Sequence, residues 1–468
     1  MTTKSKATTI KGQVVEGNVF VYPREDRMTM PDLLNFINKN MALADGYEHN
    51  LETYKGDHDI LKRKERMFGP DNRLVANLPH YIVDTYNGFF TGVPPKITLP
   101  DEVDNQLLQS WNDENSFQDK LSEISKQTDV YGRSLAFVYQ DEEARTRVAF
   151  ASPTTAFMVY DDTVSRQPYA FVRYWRNANG FQTGVVYYAD GVVSFEGSRF
   201  IDEQPNVFKM VPAVEFYANE ERQGVFDNVK TLIDELDRVL SQKANQVEYF
   251  DNAYMKVLGV NLDSDGDGKP DADLIGNQMI YSPDADASNA DVDFISKPDG
   301  DSMQENIIDR LVSMIYQISM VANLNDEAFA GNTSGVALQY KLLPMRNMAA
   351  NKERKFTQAL RHLYRIVFSA GTVLPDSKAD SWQKLNFSFK RNLPEDLSND
   401  AGVAQKLQGM VSQETLLSTL PFIDDPQEEL KRIKQEQIET MQNAMKYGPS
   451  ALDMDKPGDN DGEDEPAD

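Results

Sequence analysis

The sequence predicts an α+β protein, and three observations carry that prediction. Residues 225–252 and 303–318 place apolar side chains three or four positions apart, which is the spacing of long amphipathic helices. Between Leu135 and Tyr217 the period changes to two, as it does in β-strands. From Gly335 to Ala370 the helical spacing returns and continues past Pro344, whose ring removes a backbone donor and kinks a helix.

Composition excludes several classes of protein. The 468 residues, 40% of them apolar, are enough for several domains with proper cores. Lys and Arg total 48 against 74 Asp and Glu, and a net charge of −26 argues against sequence-specific DNA binding because phosphate is repelled. The N-terminus has no apolar signal region, so we expect a soluble protein made in the cytoplasm. Without cysteine there is neither a disulfide framework nor a thiolate metal site.

The first third of the chain is helical in pattern, from Met30 to about Thr128. A basic run, Lys62–Arg66, suggests contact with nucleic acid, but Glu65 interrupts it and a solvated helix face or interface is the favoured interpretation. Residues 72–86 have the spacing of a core helix.

Five segments alternate like strands and are separated by turn formers, which predicts an antiparallel meander. They are Leu135–Tyr139, Ala156–Tyr160, Tyr169–Trp175, Gly184–Tyr188 and Val192–Phe195. Their aromatic residues lack interleaved Lys and Arg, so they predict a sheet core rather than a platform for stacking bases. Lys384–Lys390 also alternates and is expected to join this sheet.

The C-terminal part is predicted to be helical and then disordered. A helix start stands at Asp425, with Pro426 at the first helical position and acidic residues behind it, and the helix runs to about Met445. From Asp453 to Asp468 there are eight acidic residues against one lysine, which predicts disorder.

Asn332–Met345, preceded by Asn325–Gly331, resembles the tunnel loop and kinked helix of portal proteins from long-tailed phages of Gram-positive bacteria. The order of the other segments extends the resemblance from about Asp32 to Met445. It implies a portal fold with an antiparallel β wing, long stem helices, a kinked tunnel helix and a helical crown. The implied regions are wing 1–224, stem helix 225–253, clip 254–300, stem helix 301–323, tunnel loop 324–337, kinked long helix 338–372, wing strand return 373–400, crown helices 401–447 and acidic tail 448–468.

The resemblance also implies a function. The chain would form a homododecameric ring at one capsid vertex of the virion, through which double-stranded DNA passes without sequence specificity during packaging and ejection. The implied partners are the large terminase subunit, the major capsid and scaffolding proteins and a head–tail adaptor, with no membrane involved. We expect no enzyme, because the chain has no Walker A sequence, no G-x-S-x-G and no H-E-x-x-H.

The residues expected to line the narrowest part of the channel are small, neutral or acidic, which suits transient contact with a moving phosphate backbone. They are Asn325, Asp326, Glu327, Asn332, Thr333, Ser334 and Gly335.

An acidic loop in the clip region has the pattern of a calcium site. Its oxygen ligands would come from Asp263, Asp265, Asp267, the carbonyl of Lys269, and Asp271. The position that normally closes the calcium cage is Leu274, so a solvated acidic turn and a calcium site both remain open. The portal role requires no cofactor, and calcium is the only candidate. The alternative function is a calcium-dependent binding or adhesion module, which predicts a secretion signal and repeated loops, and this sequence has neither.

Overall fold

The computed structural model describes residues 10–67, 69–251, 255–260, 279–282, 291–294, 301–324, 335–392, 397–420, 423 and 426–447. The chain divides into two compact units, Met1–Asn392 and Leu393–Asp468. Helices and strands are both abundant, so the α+β prediction is confirmed.

The N-terminal third is helical, as its pattern predicts, and divides into four helices: α1 Met30–Lys55, α2 Leu78–Thr91, α3 Glu102–Glu114 and α4 Phe117–Tyr131. Helix α1 begins with a capping box, in which the Thr29 hydroxyl accepts from the Asp32 amide and the Asp32 carboxylate accepts from the Thr29 amide. Helix α4 ends at Gly132, whose φ is 81°, and a Cβ added at this position would lie 1.9 Å from the Arg222 carbonyl oxygen, so only glycine fits.

The seven-stranded sheet contains most of the expected meander. Its order is β1-β2-β6-β7-β8-β9-β10, and only the β2–β6 pair is parallel. The strands are β1 Gln13–Val15, β2 Val19–Tyr22, β6 Ala156–Asp161, β7 Pro168–Arg176, β8 Gln182–Tyr187, β9 Gly191–Glu196 and β10 Arg199–Pro205. One face packs against α1, with Phe20, Phe36 and Phe157 in the shared core.

A second sheet corrects the meander prediction. Strand β4 Arg133–Gln140, which holds the predicted segment Leu135–Tyr139, lies between β11 Ala213–Tyr217 and β5 Thr146–Ala151 rather than in the meander. Its first six residues are all buried, because one face packs on the meander and the other on α4. A strand buried on both faces forms its own layer, and periodicity alone does not show which sheet it joins.

The long helices follow. They are α5 Lys230–Asp251, α6 Asp301–Ser319, α7 Gly335–Lys341 and α8 Leu343–Ser369. Between α5 and α6 lie three short strands that the sequence did not indicate, β12 Met255–Leu258, β13 Met279–Ser282 and β14 Asp291–Phe294. Four residues are too few for a period of two to stand out.

The strand predicted within Lys384–Lys390 exists as β15 Asn386–Ser388, but its expected partner was wrong. It pairs with β3 Lys96–Thr98 in a separate two-stranded sheet. Aromatic packing explains the position, since the Phe387 ring lies 6.4 Å from that of Tyr364 on α8, and Phe389 stacks on Phe90 of α2.

The second unit is helical in its described part, with α9 Leu397–Leu407, α10 Gln413–Ser418 and α11 Pro426–Tyr447. The predicted helix from Asp425 to Met445 is therefore confirmed. Of the helices that the structure describes, none has the length and apolar content needed to cross a bilayer.

Candidate functional site

The predicted site residues fall largely outside the described part of the chain. Asn325, Asp326, Glu327, Asn332, Thr333 and Ser334 are not among the described residues, and neither are Asp263, Asp265, Asp267, Lys269 and Asp271. Gly335 is described and opens α7. Within the described ranges, no group of three histidine or carboxylate side chains is arranged to hold a metal ion. The structure does describe the elements that precede and follow residues 325–334.

The chain that leads into residues 325–334 is held by α2. After α6 ends at Ser319, Met320 turns the chain with a φ of 59°. The Leu324 amide then donates to the Tyr81 hydroxyl at 3.0 Å, and the Tyr81 ring meets Tyr316 of α6 edge-on at 5.8 Å. Helix α2 thus fixes the point at which the chain leaves for residues 325–334.

The chain that follows residues 325–334 contains a helix break beside Pro344. Helix α7 ends at Lys341, Leu342 lies in a turn, and α8 begins at Leu343 with Pro344 in its first turn. The Leu342 amide bonds the Leu338 carbonyl at 3.1 Å and the Arg346 amide bonds the Leu342 carbonyl at 2.9 Å, so helical bonding continues on both sides. Because Pro344 has no N–H, the ladder loses one bond at this point.

A cavity of about 430 Å³ lies between these two segments. The segment before residue 325 lines it with Tyr316, Met320 and Val321, and the segment after residue 334 lines it with Lys341 and Pro344. The start of α8 therefore borders this cavity through Pro344, while Leu342 and Met345 beside it are buried in the core.

Two turns beyond the break, α8 is fixed by a buried ion pair. The Lys352 ammonium donates to both oxygens of Asp129 on α4, at 2.7 and 2.8 Å, and to the Ser125 hydroxyl at 2.8 Å. Both charged side chains are at most 1% exposed. The rings of Tyr86, Phe90 and Phe356 surround the ammonium at 5.0, 4.8 and 5.2 Å.

Burial dominates the electrostatics of this pair. It raises the pKa of Asp129 to about 6, although the Lys352 ammonium acts in the opposite direction. Burial likewise lowers the pKa of Lys352. Each group is tolerated in the core only because the other is present, which makes the pair a fixed point for α8.

The sequence contained a signal for this anchor that pattern reading missed. Lys352 continues the buried stripe of Met345, Ala349 and Phe356, so a lysine stands at a core position of the helix. Such a lysine requires a buried partner, but its partner lies 223 residues away and only the fold identifies it.

Helix α5 is attached by a row of polar side chains. Asp237, Ser241 and Asn245 lie four residues apart and accept the backbone amides of residues 76, 74 and 72, at 2.7, 2.9 and 2.6 Å. Four helical residues advance about 6 Å and two extended residues about 6.6 Å, so the two repeats match. The matching bonds explain why residues 72–77 form neither helix nor strand, whereas their spacing had predicted a helix.

The same row includes a second buried charge pair. His58 Nδ1 lies 2.5 Å from Asp237 Oδ2, and Nε2 lies 3.0 Å from the Thr53 carbonyl oxygen at the end of α1. Burial by itself lowers the pKa of His58, but the hydrogen bond and negative charge of Asp237 outweigh it and the pKa is raised. This pair ties α5 to α1.

Comparison with known proteins supports the resemblance noted in the sequence. The sequence model of the family described as phage portal protein, SPP1 Gp6-like, matches residues 34–443. The portal protein of Bacillus phage SPP1 is 25% identical over 442 residues, which cover 83% of this chain and 84% of that protein. The portal protein of Clostridium phage phiCD119 is 21% identical over 418 residues, 80% of this chain and 89% of that protein.

Proposed function

The chain belongs to the SPP1 Gp6-like family of phage portal proteins, and on that premise we propose that it forms the ring-shaped channel of a phage capsid. Double-stranded DNA enters and leaves the capsid through this channel, and the ring is homododecameric. The subunit hydrolyses nothing itself, and the large terminase subunit supplies the work of packaging.

An incompletely covered apolar stripe on α6 is the observation that favours a ring. Met303, Ile307, Leu311 and Ile315 follow one another at steps of four. Leu311 and Ile315 are buried, whereas Met303 is 67% and Ile307 is 42% exposed. A single subunit thus covers one half of the stripe, and a neighbouring copy would gain stability by covering the other half.

The proposed DNA path runs along residues 325–334. This segment contains no lysine or arginine, so it offers phosphate groups no cationic partner and lets DNA slide. The hydrogen bond to Tyr81 of α2 holds the chain before this segment, and the helix break at Leu342 follows it. These two features support a loop that projects from the ring wall.

The proposed partners follow from the same role. We propose that the region 254–300 docks the large terminase subunit and that the ring also contacts major capsid and scaffolding proteins and a head–tail adaptor. The calcium loop at Asp263–Asp273 stays a prediction, and nothing in the described structure favours a calcium-dependent adhesion module.

The experiment that tests the ring is imaging combined with a mass measurement. Wild-type protein should appear in negative stain as rings with a central hole, and sedimentation should give the matching mass. A Met303→Glu/Ile307→Glu variant should remain folded by circular dichroism yet sediment as a smaller species, because two carboxylates then replace the uncovered stripe.

Val164→Glu provides the control, since Val164 is fully exposed in the loop between β6 and β7 and lies outside the stripe. It should retain rings. Wild-type protein that stays monomeric at micromolar concentration contradicts the proposed ring.

A further inference from the structure

The basic run Lys62–Arg66 is not a helix face, contrary to the sequence-based expectation. A 3₁₀ helix ends at Lys62, and Arg63 continues in an extended conformation. Residues 61–67 are all exposed. The run is therefore a loop, and what surrounds it decides its role.

This loop, the following segment and α5 enclose a cavity of about 130 Å³. The lining includes five cationic side chains and one carboxylate, namely Arg63, Lys64, Arg66, Arg73, Arg238 and Asp71. In a chain with a net charge of −26, a cavity lined by five cations and one carboxylate is a local excess of positive charge.

The inner wall of the cavity is held rigidly. Arg73 donates to the Leu61 carbonyl at 3.1 Å and to Asp71 Oδ2 at 2.6 Å. On either side of Arg73, the amides of Asn72 and Leu74 are bonded to the polar row of α5. A donor group held in this way loses little conformational entropy when it binds a ligand.

The positive charge is not neutralised within the cluster. Asp71 pairs with Arg73 and, at 4.0 Å, with Arg66, and Arg238 pairs with Glu235 on its own helix. Across the described ranges, neither Arg63 nor Lys64 has a carboxylate within 4.0 Å. Two cations at the mouth of a polar cavity thus remain for an anion.

We propose that this cluster binds a phosphate group. Guanidinium groups match the tetrahedral oxygens of phosphate with paired hydrogen bonds, and several of them converge on one small cavity here. A cavity of this size has room for a phosphate group but not for a whole duplex. The phosphate is either a free anion or one group of a DNA backbone, and the cluster does not depend on ring formation.

Calorimetry with inorganic phosphate at constant ionic strength tests the site on the full-length protein. We expect saturable heat from the wild type and at least about tenfold weaker binding by Arg63→Gln/Lys64→Gln. Both residues are exposed, so the variant should fold, which circular dichroism checks. Lys431→Gln/Arg432→Gln loses the same charge from an exposed pair on α11 and should bind phosphate like the wild type.

A short DNA duplex distinguishes the two sources. If the loop variant also binds the duplex more weakly and free phosphate competes, the site holds backbone phosphate. If phosphate binds but the duplex does not, the ligand is a free anion. Absence of saturable phosphate heat in the wild type, or equal affinity in the loop variant, overturns the proposal. Ring formation is measured separately by imaging and sedimentation, so a failure of the proposed portal role is distinguished from a failure of the phosphate site.

Discussion

Two buried charge pairs anchor two of the long helices, and they do so in different ways. Lys352–Asp129 fixes α8, and His58–Asp237 fixes α5. All four side chains are at most 1% exposed. The first pair is surrounded by aromatic rings, whereas the second belongs to a row of polar groups that bind backbone amides. Lys352–Asp129, packed among rings, is the rigid anchor, and His58–Asp237 is the anchor whose cation titrates near neutrality; their surroundings and their cations distinguish them, whereas their depth of burial does not.

The group that titrates differs between the two pairs. At Lys352–Asp129, burial raises the pKa of the Asp129 carboxyl to about 6, so this pair loses its negative charge on acidification. At His58–Asp237, the hydrogen bond and charge of Asp237 outweigh burial and raise the pKa of His58 above its usual value of about 6.5, so this pair loses its positive charge as pH rises.

The largest effect should come from breaking the rigid anchor. Lys352→Met leaves the Asp129 carboxylate buried without its counter-charge, and we expect a loss of about 3–5 kcal/mol in the free energy of unfolding, measured with urea. Adding Asp129→Leu should restore most of that loss, because no buried charge then remains. A double variant as unstable as the single one would show that the pair itself, rather than the stranded charge, stabilises α8.

A smaller and pH-dependent effect is expected at the second anchor. The folded-state pKa of His58 is raised above its unfolded value of about 6.5, so its contribution is complete below that pH and is lost as pH rises through the folded pKa. The wild type should therefore become less stable as pH rises from about 6.5, and His58→Asn should remove that slope.

This pH window lies above the pKa of Asp129, about 6, so the rigid anchor adds little to the slope. Unfolding free energies measured across the window test the difference between the anchors. Parallel curves for wild type and His58→Asn would show that His58 carries no proton-linked stability.

The smallest change in stability is expected beside the cavity at the helix break. Pro344→Ala restores a backbone donor at the start of α8 and should alter the free energy of unfolding by less than about 1 kcal/mol. In the proposed portal role residues 325–334 line the path of the DNA, so a straightened start of α8 should nevertheless reduce the DNA packaged per capsid. Gly335→Trp, which places a large side chain at the start of α7, should likewise reduce the DNA packaged per capsid.

Gly46→Trp is the matched control, since Gly46 faces open space on α1 and gains the same side chain. Rings must first be confirmed in each variant by imaging. Wild-type packaging by both Pro344→Ala and Gly335→Trp would mean that residues 325–334 do not meet the DNA.

The sequence by itself determined the α+β class, the helical character of the N-terminal third, the long helices α5, α6 and α8, and the strands β6–β9. Each of these depends on a local repeat of two or of three to four residues, which is present in the chain before it folds. The family resemblance likewise came from residues in order along the chain, and the match over residues 34–443 confirms it.

Tertiary structure decided the features that join distant residues. The non-helical conformation of residues 72–77 depends on acceptors on α5 more than 160 positions away, and Lys352 meets Asp129, which is 223 positions away. The basic run at Lys62–Arg66 likewise shares a cavity with Arg238, which lies far along the chain on α5. Local spacing records which side of a helix or strand is apolar but not which partner it meets, because that partner is selected only when the whole core packs.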